Sequence, residues 1–137
     1  MKIEIFTDGG CSGNPGPAAI GVVIKENAKT IKTLSRFIGQ GTNNIAEYTA
    51  LIVALQEALI LKADDVSVKA DSELMCKQVV GKYAVKHENI KPLFEQVKYL
   101  IGGFKSFHIT HVPREQNSEA DALVRQVLKK AVYLNRY

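Results

Sequence analysis

Tryptophan is absent from this 137-residue chain and cysteine occurs only twice. No stretch approaches the roughly 18 unbroken apolar residues that a membrane-spanning helix needs, so no membrane partner is expected. The opening MKIEIF lacks the apolar core and small-residue cleavage site of a secretion signal, and a cytoplasmic location is the expectation. Cys11 and Cys76 match neither a disulfide framework nor a zinc site, which requires closely spaced ligand pairs, and both are expected as reduced thiols. Internal repeats, low-complexity tracts and linkers are missing too. What is present is 46% hydrophobic residues, and 18 Lys and Arg against 14 Asp and Glu, a net charge of +4. The length and apolar content fit one domain over residues 1–137. The positive balance favours polyanionic partners without selecting one.

Apolar periodicity divides the chain. Lys2 to Asp8 and Ala19 to Glu26 are β-prone and Thr30 to Gly39 alternates loosely, which predicts three opening strands. From Asn44 to Leu61 the spacing becomes helical, with Ala50, Leu51, Ala54, Leu55, Ala58 and Leu59 on one stripe. Asp65 to Ala70 alternates as a strand, and Ser72 to Val80 reads as a helix. Asn89 to Ile101 is a second such helix, ended by Gly102 and Gly103. Lys105 to Val112 is a fifth strand and Asn117 to Ala131 a closing helix. Strands followed by strands alternating with helices imply an α/β protein with a mixed sheet covered by helices.

Four acids stand at the junctions of these elements, and each has an ordinary explanation. Asp8 ends the first strand and opens the turn GGCSGNPG, where an aspartate is common turn chemistry. Glu47 follows Asn44 by three residues and could close a capping box, although its place on the apolar stripe turns it toward the sheet. Asp71 precedes a helix as an N-cap would, and Asp121 follows Ser118 at capping-box spacing. Capping does not require what they share, which is a place at strand ends and in the first turns of helices that pack on the same sheet. Four converging acids without interleaved Lys or Arg would repel and raise one another's pKa values, and divalent cations would relieve the repulsion. Oxygen-only ligands select Mg²⁺ or Mn²⁺, the usual equipment for phosphodiester hydrolysis.

The stretches TDGGCSGNPGPAAIGVV, TNNIAEYTALIVAL, KADSELM and HVPREQNSEADAL, in this order, resemble type 1 ribonuclease H over nearly the whole chain. The resemblance implies an RNase H-like α/β fold, with a five-stranded mixed sheet in the order 3-2-1-4-5, strand 2 antiparallel, flanked by helices. It also implies endonucleolytic cleavage of the RNA strand of RNA–DNA hybrids by two Mg²⁺ (or Mn²⁺) ions, leaving 5′-phosphates, in a monomeric enzyme. By motif match the metal-binding set is Asp8, Glu47, Asp71 and Asp121. Gly9, Asn14, Asn43 and Asn44 would contact the RNA strand side of the substrate and Thr42 a DNA-strand phosphate. Turn and N-cap chemistry accounts for the same loop residues equally well, and both roles can coexist.

Relatives often place an assisting histidine before the last helix. His111 stands ten residues before Asp121, yet strand periodicity assigns it to FHITHVP, so Arg114 in the following loop is the alternative assistant. His87 and His108 have no such context. Only GKYAVKHE separates the two middle helices, so the basic protrusion and the tryptophan-bearing loop of longer relatives are missing, and no N-terminal hybrid-binding domain is expected. Glu73 replaces a neutral amide, and the tail KKAVYLNRY could compensate with basic contacts. Double-stranded RNA is an alternative substrate, since both duplexes are A-like. A hybrid-binding module with little turnover is a second alternative. A nucleotide-binding loop is excluded because GGCSGNPG has neither G-x-G-x-x-G nor a Walker lysine.

Overall fold

A computed structural model describes residues 1–134 of the chain. In chain order the elements are β1 (Lys2–Cys11), β2 (Gly16–Glu26), β3 (Lys29–Gly41), α1 (Asn43–Ile60), β4 (Asp65–Ala70), α2 (Glu73–Val79), α3 (Lys91–Ile101) and β5 (Ser106–His111). A 3₁₀ turn (Arg114–Asn117) then leads into α4 (Ser118–Leu134). The five strands form one sheet in the order β3-β2-β1-β4-β5. β2 is antiparallel to both neighbours, while β4 and β5 run parallel to β1. This is the mixed sheet that the motif resemblance implies.

Side-chain alternation fixes which residues go to the core. Ile3 and Ile5 of β1 and Val66, Val68 and Ala70 of β4 are buried, while Asp65, Ser67 and Lys69 between them are only half-buried. They pack with Val22 and Ile24 against Leu51, Leu55 and Ala58 of α1, with Met75, Val79, Val97 and Leu100 from α2 and α3 closing the same core. α4 packs against β1, β2 and β3. Gly9 lies under Ala46 of α1 and Gly10 under Val124 of α4, so successive residues of one strand face the two helix layers. β2 is sandwiched between those layers, and its nearly continuous apolar run GPAAIGVVIKE reflects burial on both faces.

Several boundaries differ from those read from periodicity. β1 runs on to Cys11 and β2 begins at Gly16, because Gly9, Gly10 and Cys11 pair with Ile20, Ala19 and Ala18. Glycines carry no side chain to mark an alternation, so this part of the ladder leaves no apolar pattern. α1 begins at Asn43 because Thr42 is its N-cap, accepting from the Ile45 N–H at 3.2 Å. Ser72 caps α2 in the same way through Met75. Asn117 belongs to the 3₁₀ turn rather than to α4. The apolar stripe of α1 is buried except for Leu59, 37% exposed at the end of the helix. Of the tail KKAVYLNRY, Asn135, Arg136 and Tyr137 lie outside the described residues. Among the described residues no helix is long and apolar enough to cross a membrane.

Candidate active site

Strand register brings the first two acids together. The last residues to pair between β1 and β4 are Thr7 and Ala70, so Asp8 and Asp71 follow side by side where β4 stops and β1 continues along β2 alone. The carboxyl ends of parallel strands are where open α/β sheets build their sites, because the diverging chain leaves a crevice there.

Two glycines bring the helices close enough to add the other acids. A Cβ on Gly9 would lie 2.3 Å from the backbone carbon of Ala46, so β1 and α1 touch backbone to backbone. The Gly9 N–H then donates to Glu47 Oε1 at 2.6 Å and holds that carboxylate over the strand. On the other face, a Cβ on Gly21 would lie 2.4 Å from the carbonyl oxygen of Ala120, which seats the first turn of α4, and Asp121 with it, on the sheet. Oxygens of Asp8, Glu47 and Asp71 lie within 4.8 Å of one another. Asp121 lines the same cleft, of about 450 Å³, and its charge acts on Asp8.

The capping explanations for two of these acids fail on geometry. Glu47 stands five residues beyond the Thr42 cap, in the second turn of α1 rather than the first, and Asp71 precedes the Ser72 cap of α2. Asp121 does lie in the first turn of α4, where an acid complements the helix dipole.

Asp8 and Glu47 are 7% and 8% exposed. Burial, then the charges of Asp71 and Asp121, pushes the Asp8 carboxyl up to about 7. Glu47 is raised well above its ordinary range, first by burial and then by Asp8 and Asp71, with the Gly9 N–H opposing. The field reaches Cys76, whose thiol is pushed up to about 12 by burial first and then by Glu47 and Asp71. Buried like charges of this kind need a compensating cation or shared protons. The donors are all carboxylate oxygens, which fits hard divalent ions such as Mg²⁺ or Mn²⁺ and disfavours softer ones.

The acids are not free of basic neighbours, contrary to the sequence expectation. Arg125 Nε lies 2.9 Å from Asp121 Oδ2, and Arg114 Nε lies 3.8 Å from Asp71 Oδ2, and both arginines line the cleft. Arg125 escaped the sequence reading, although its i,i+4 spacing from Asp121 was a usable signal. His111 and Arg114 are separated by the fold. His111 is the exposed last residue of β5, paired with Ala70 and outside the residues that line the cleft. Glu73 is held below its ordinary value mainly by the Lys77 ammonium at 2.6 Å, with a smaller contribution from His111.

The glycine-rich loop is clamped to the start of α1. The Asn43 N–H donates to Asn14 Oδ1 at 3.1 Å, and the Cys11 N–H donates to Asn43 Oδ1 at 3.2 Å. Among the described residues the amide nitrogens of Asn14 and Asn43 have no hydrogen-bond partner in the protein. Asn14, Thr42, Asn43 and Asn44 line a second groove of about 380 Å³, closed on its far side by His87, Asn89 and Ile90. Asn43 and Asn44 also line the carboxylate cleft, so the N-terminus of α1 is the ridge between two grooves. Gly9 lines the cleft as well, but its N–H is already engaged by Glu47. His87 carried no pattern in the sequence, and Asn89, expected there as the start of a helix, lies ahead of α3, which begins at Lys91, in a loop brought to the groove by packing.

Residues 6–127 match the family model described as reverse transcriptase-like. Ribonuclease HI of Halobacterium salinarum is 37% identical over 95% of this chain and 66% of its own length. The crystal structure of that archaeon's RNase H1 superposes with a TM-score of 0.92, at 37% identity, covering 95% of this chain and 99% of that one. A metagenomic RNase H1 isolated from compost, solved in complex with an RNA/DNA hybrid, gives a TM-score of 0.90 at 42% identity, covering 96% of this chain and 99% of that one. A bifunctional protein of Mycobacterium tuberculosis is 37% identical over 96% of this chain, which spans only 36% of that protein. With its sheet order, its clustered acids and these likenesses along nearly its whole length, the chain belongs to the type 1 ribonuclease H family.

Proposed function

We propose that this protein is a metal-dependent endoribonuclease that hydrolyses the RNA strand of RNA–DNA hybrids. The observation that carries the reading is the convergence of Asp8, Glu47 and Asp71 within 4.8 Å in an open cleft that Asp121 also lines. In this reading the four carboxylates would hold two Mg²⁺ or Mn²⁺ ions, whose chemistry when bound would be activation of water and stabilisation of the leaving 3′-oxygen, giving products with 5′-phosphates.

The chain's own groups prepare that chemistry. The Gly9 N–H fixes the direction of Glu47, and the Asp121–Arg125 pair holds the fourth acid ready. Arg114, 82% exposed beside Asp71, is free to swing onto the scissile phosphate, a role that His111 is poorly placed to take. Two grooves divided by the start of α1 suit the two strands of a duplex, with RNA over the acids and DNA beyond the ridge. Asn43 and Asn44, which line both grooves, can donate to phosphates and to the 2′-hydroxyls that distinguish RNA from DNA, and Asn14, bonded to the Asn43 N–H, can add its amide from the second groove. Thr42, the N-cap of α1 and part of the second groove, suits a DNA phosphate. The compost enzyme's structure with a bound RNA/DNA hybrid supports this substrate class.

The test is cleavage of one labelled RNA strand, offered as single strand, RNA–DNA hybrid or RNA duplex, with Mg²⁺, Mn²⁺ or EDTA. Metal-dependent cutting of the hybrid that disappears in Asp71→Asn is expected. Hybrid that is bound but never cut with either metal would make the protein a binding module instead.

A further inference from the structure

Asn117 plays no part in the chemistry just described, and its sequence context marked it only as the start of the closing helix. Its side chain is 1% exposed. Its Nδ2 donates to the backbone oxygen of Thr7 at 2.8 Å, joining residues 110 apart in the chain. Thr7 is the last residue of β1 that pairs with β4, and the next residue is Asp8. Asn117 immediately precedes α4, and Asp121 follows it by four residues, about one helical turn. A single buried hydrogen bond therefore links the strand that carries Asp8 to the start of the helix that carries Asp121.

The choice of an asparagine is informative. Directly before a helix, an asparagine ordinarily turns its side-chain oxygen back to accept from the first-turn N–H groups. Here Oδ1 accepts from no protein group, and the amide is committed to Thr7. Thr7 Oγ1 likewise has no protein partner. The two buried side-chain polar atoms left without a protein hydrogen bond among the described residues thus belong to the two residues that this one bond joins. A residue selected for packing would leave no orphaned carbonyl, and one selected for capping would have used it.

We propose that Asn117 is a positioning residue for the carboxylate site, setting the separation of Asp121 from Asp8 through the Thr7 carbonyl. The inference rests on the proposed metal-dependent reading of the cleft. Partners that orient the groups holding a metal typically matter 10- to 100-fold for its affinity. Gly21 provides the contact that lets α4 approach, and Asn117 provides the directional bond that stops it from sliding.

The experiment is a Mn²⁺ titration of the full chain without nucleic acid, followed by the electron paramagnetic resonance signal of free Mn²⁺, well below each variant's Tm. Asn117→Ala is compared with wild type and with Val66→Ala, which opens a cavity in the core at the opposite end of β4. The expected result is Mn²⁺ affinity weakened roughly tenfold or more in Asn117→Ala and changed by less than about twofold in Val66→Ala, even where the latter has the lower Tm. If Asn117→Ala does not fold, Asn117→Leu, which has the same branching of heavy atoms and no donor, takes its place. Wild-type affinity in the Asn117 variant, or equal weakening in Val66→Ala, overturns the positioning role while leaving the nuclease reading intact. Failure of the wild-type protein to take up Mn²⁺ at all removes the metal-dependent reading and this inference with it.

Discussion

Asp8 and Gly21 stand opposite each other across β1 and β2, and the space a side chain on Gly21 would need is occupied by the carbonyl oxygen of Ala120, 2.4 Å from its Cβ position. The strand residue facing the central acid is therefore the one on which α4 rests, and Asp121 is the next residue along that helix. Gly9 does the same for α1, with Glu47 next after Ala46.

Adding a methyl group at Gly21 should therefore act on the site as well as on stability. The atom it meets belongs to helix backbone, which cannot rotate away, so Gly21→Ala is expected to destabilise by about 3 kcal/mol, at the upper end for overpacking. It should also weaken divalent-metal binding. Urea unfolding and a Mn²⁺ titration check both, and stability within about 0.5 kcal/mol of wild type would mean that the helix seat is not tight.

The metal-free protein should lose stability as pH rises through the range in which the buried acids ionise. Asp8 titrates at about 7 in the fold against an ordinary 3.8, so between those values the folded state binds the proton more strongly than the unfolded chain. The stabilisation is complete below about pH 4 and is lost as pH climbs toward 7, and Glu47 acts in the same direction. Asp8→Asn should flatten this dependence and raise the Tm at pH 8 in EDTA, while Mg²⁺ should raise the wild-type Tm there and have much less effect on the variant. The difference in Tm between the two proteins, measured from pH 4 to 8, isolates this group. A difference that does not change with pH contradicts the prediction.

Arg114 and His111 are separable by kinetics. Arg114→Ala is expected to lower kcat on the hybrid roughly tenfold or more, by removing a cation from beside developing charge. His111→Ala should remain within about twofold, because His111 lies outside the cleft. The reverse pattern would require the loop after β5 to rearrange on binding substrate.

Arg125 offers a test of substrate electrostatics. The arginine of its pair with Asp121 is largely exposed, and pairs open to solvent contribute about 0–1 kcal/mol, so Arg125→Ala should change Tm little. Should Arg125 also meet a phosphate, the slope of log KM against log salt would fall by about one in the variant. An unchanged slope assigns the arginine to Asp121 alone.

Much of this was legible in one sequence. Apolar alternation in Asp65 to Ala70 and the helical stripe of α1 located their elements correctly, because burial of one face imposes a period that composition reveals. The four acids could be singled out because periodicity put them near element ends, although Asp8 lies inside β1 and Glu47 in the second turn of α1, and the motif resemblance put them in one set. Periodicity misplaced the ends of β1, β2 and α1, where glycines carry no side chain and where the choice between Thr42 and Asn44 as the cap depends on backbone angles.

The sequence by itself determined the order of strands and helices, which follows from residue type and spacing along the chain, and its motif resemblance singled out four acids as one candidate set. Only the tertiary structure decided that Glu47 and Asp71 are not caps, that Arg114 rather than His111 stands in the cleft, and that Asn117 ties β1 to α4. Those relationships join residues up to 110 positions apart. Their geometry comes from strand register and from backbone contacts at Gly9 and Gly21, and neither leaves a periodic trace in the sequence.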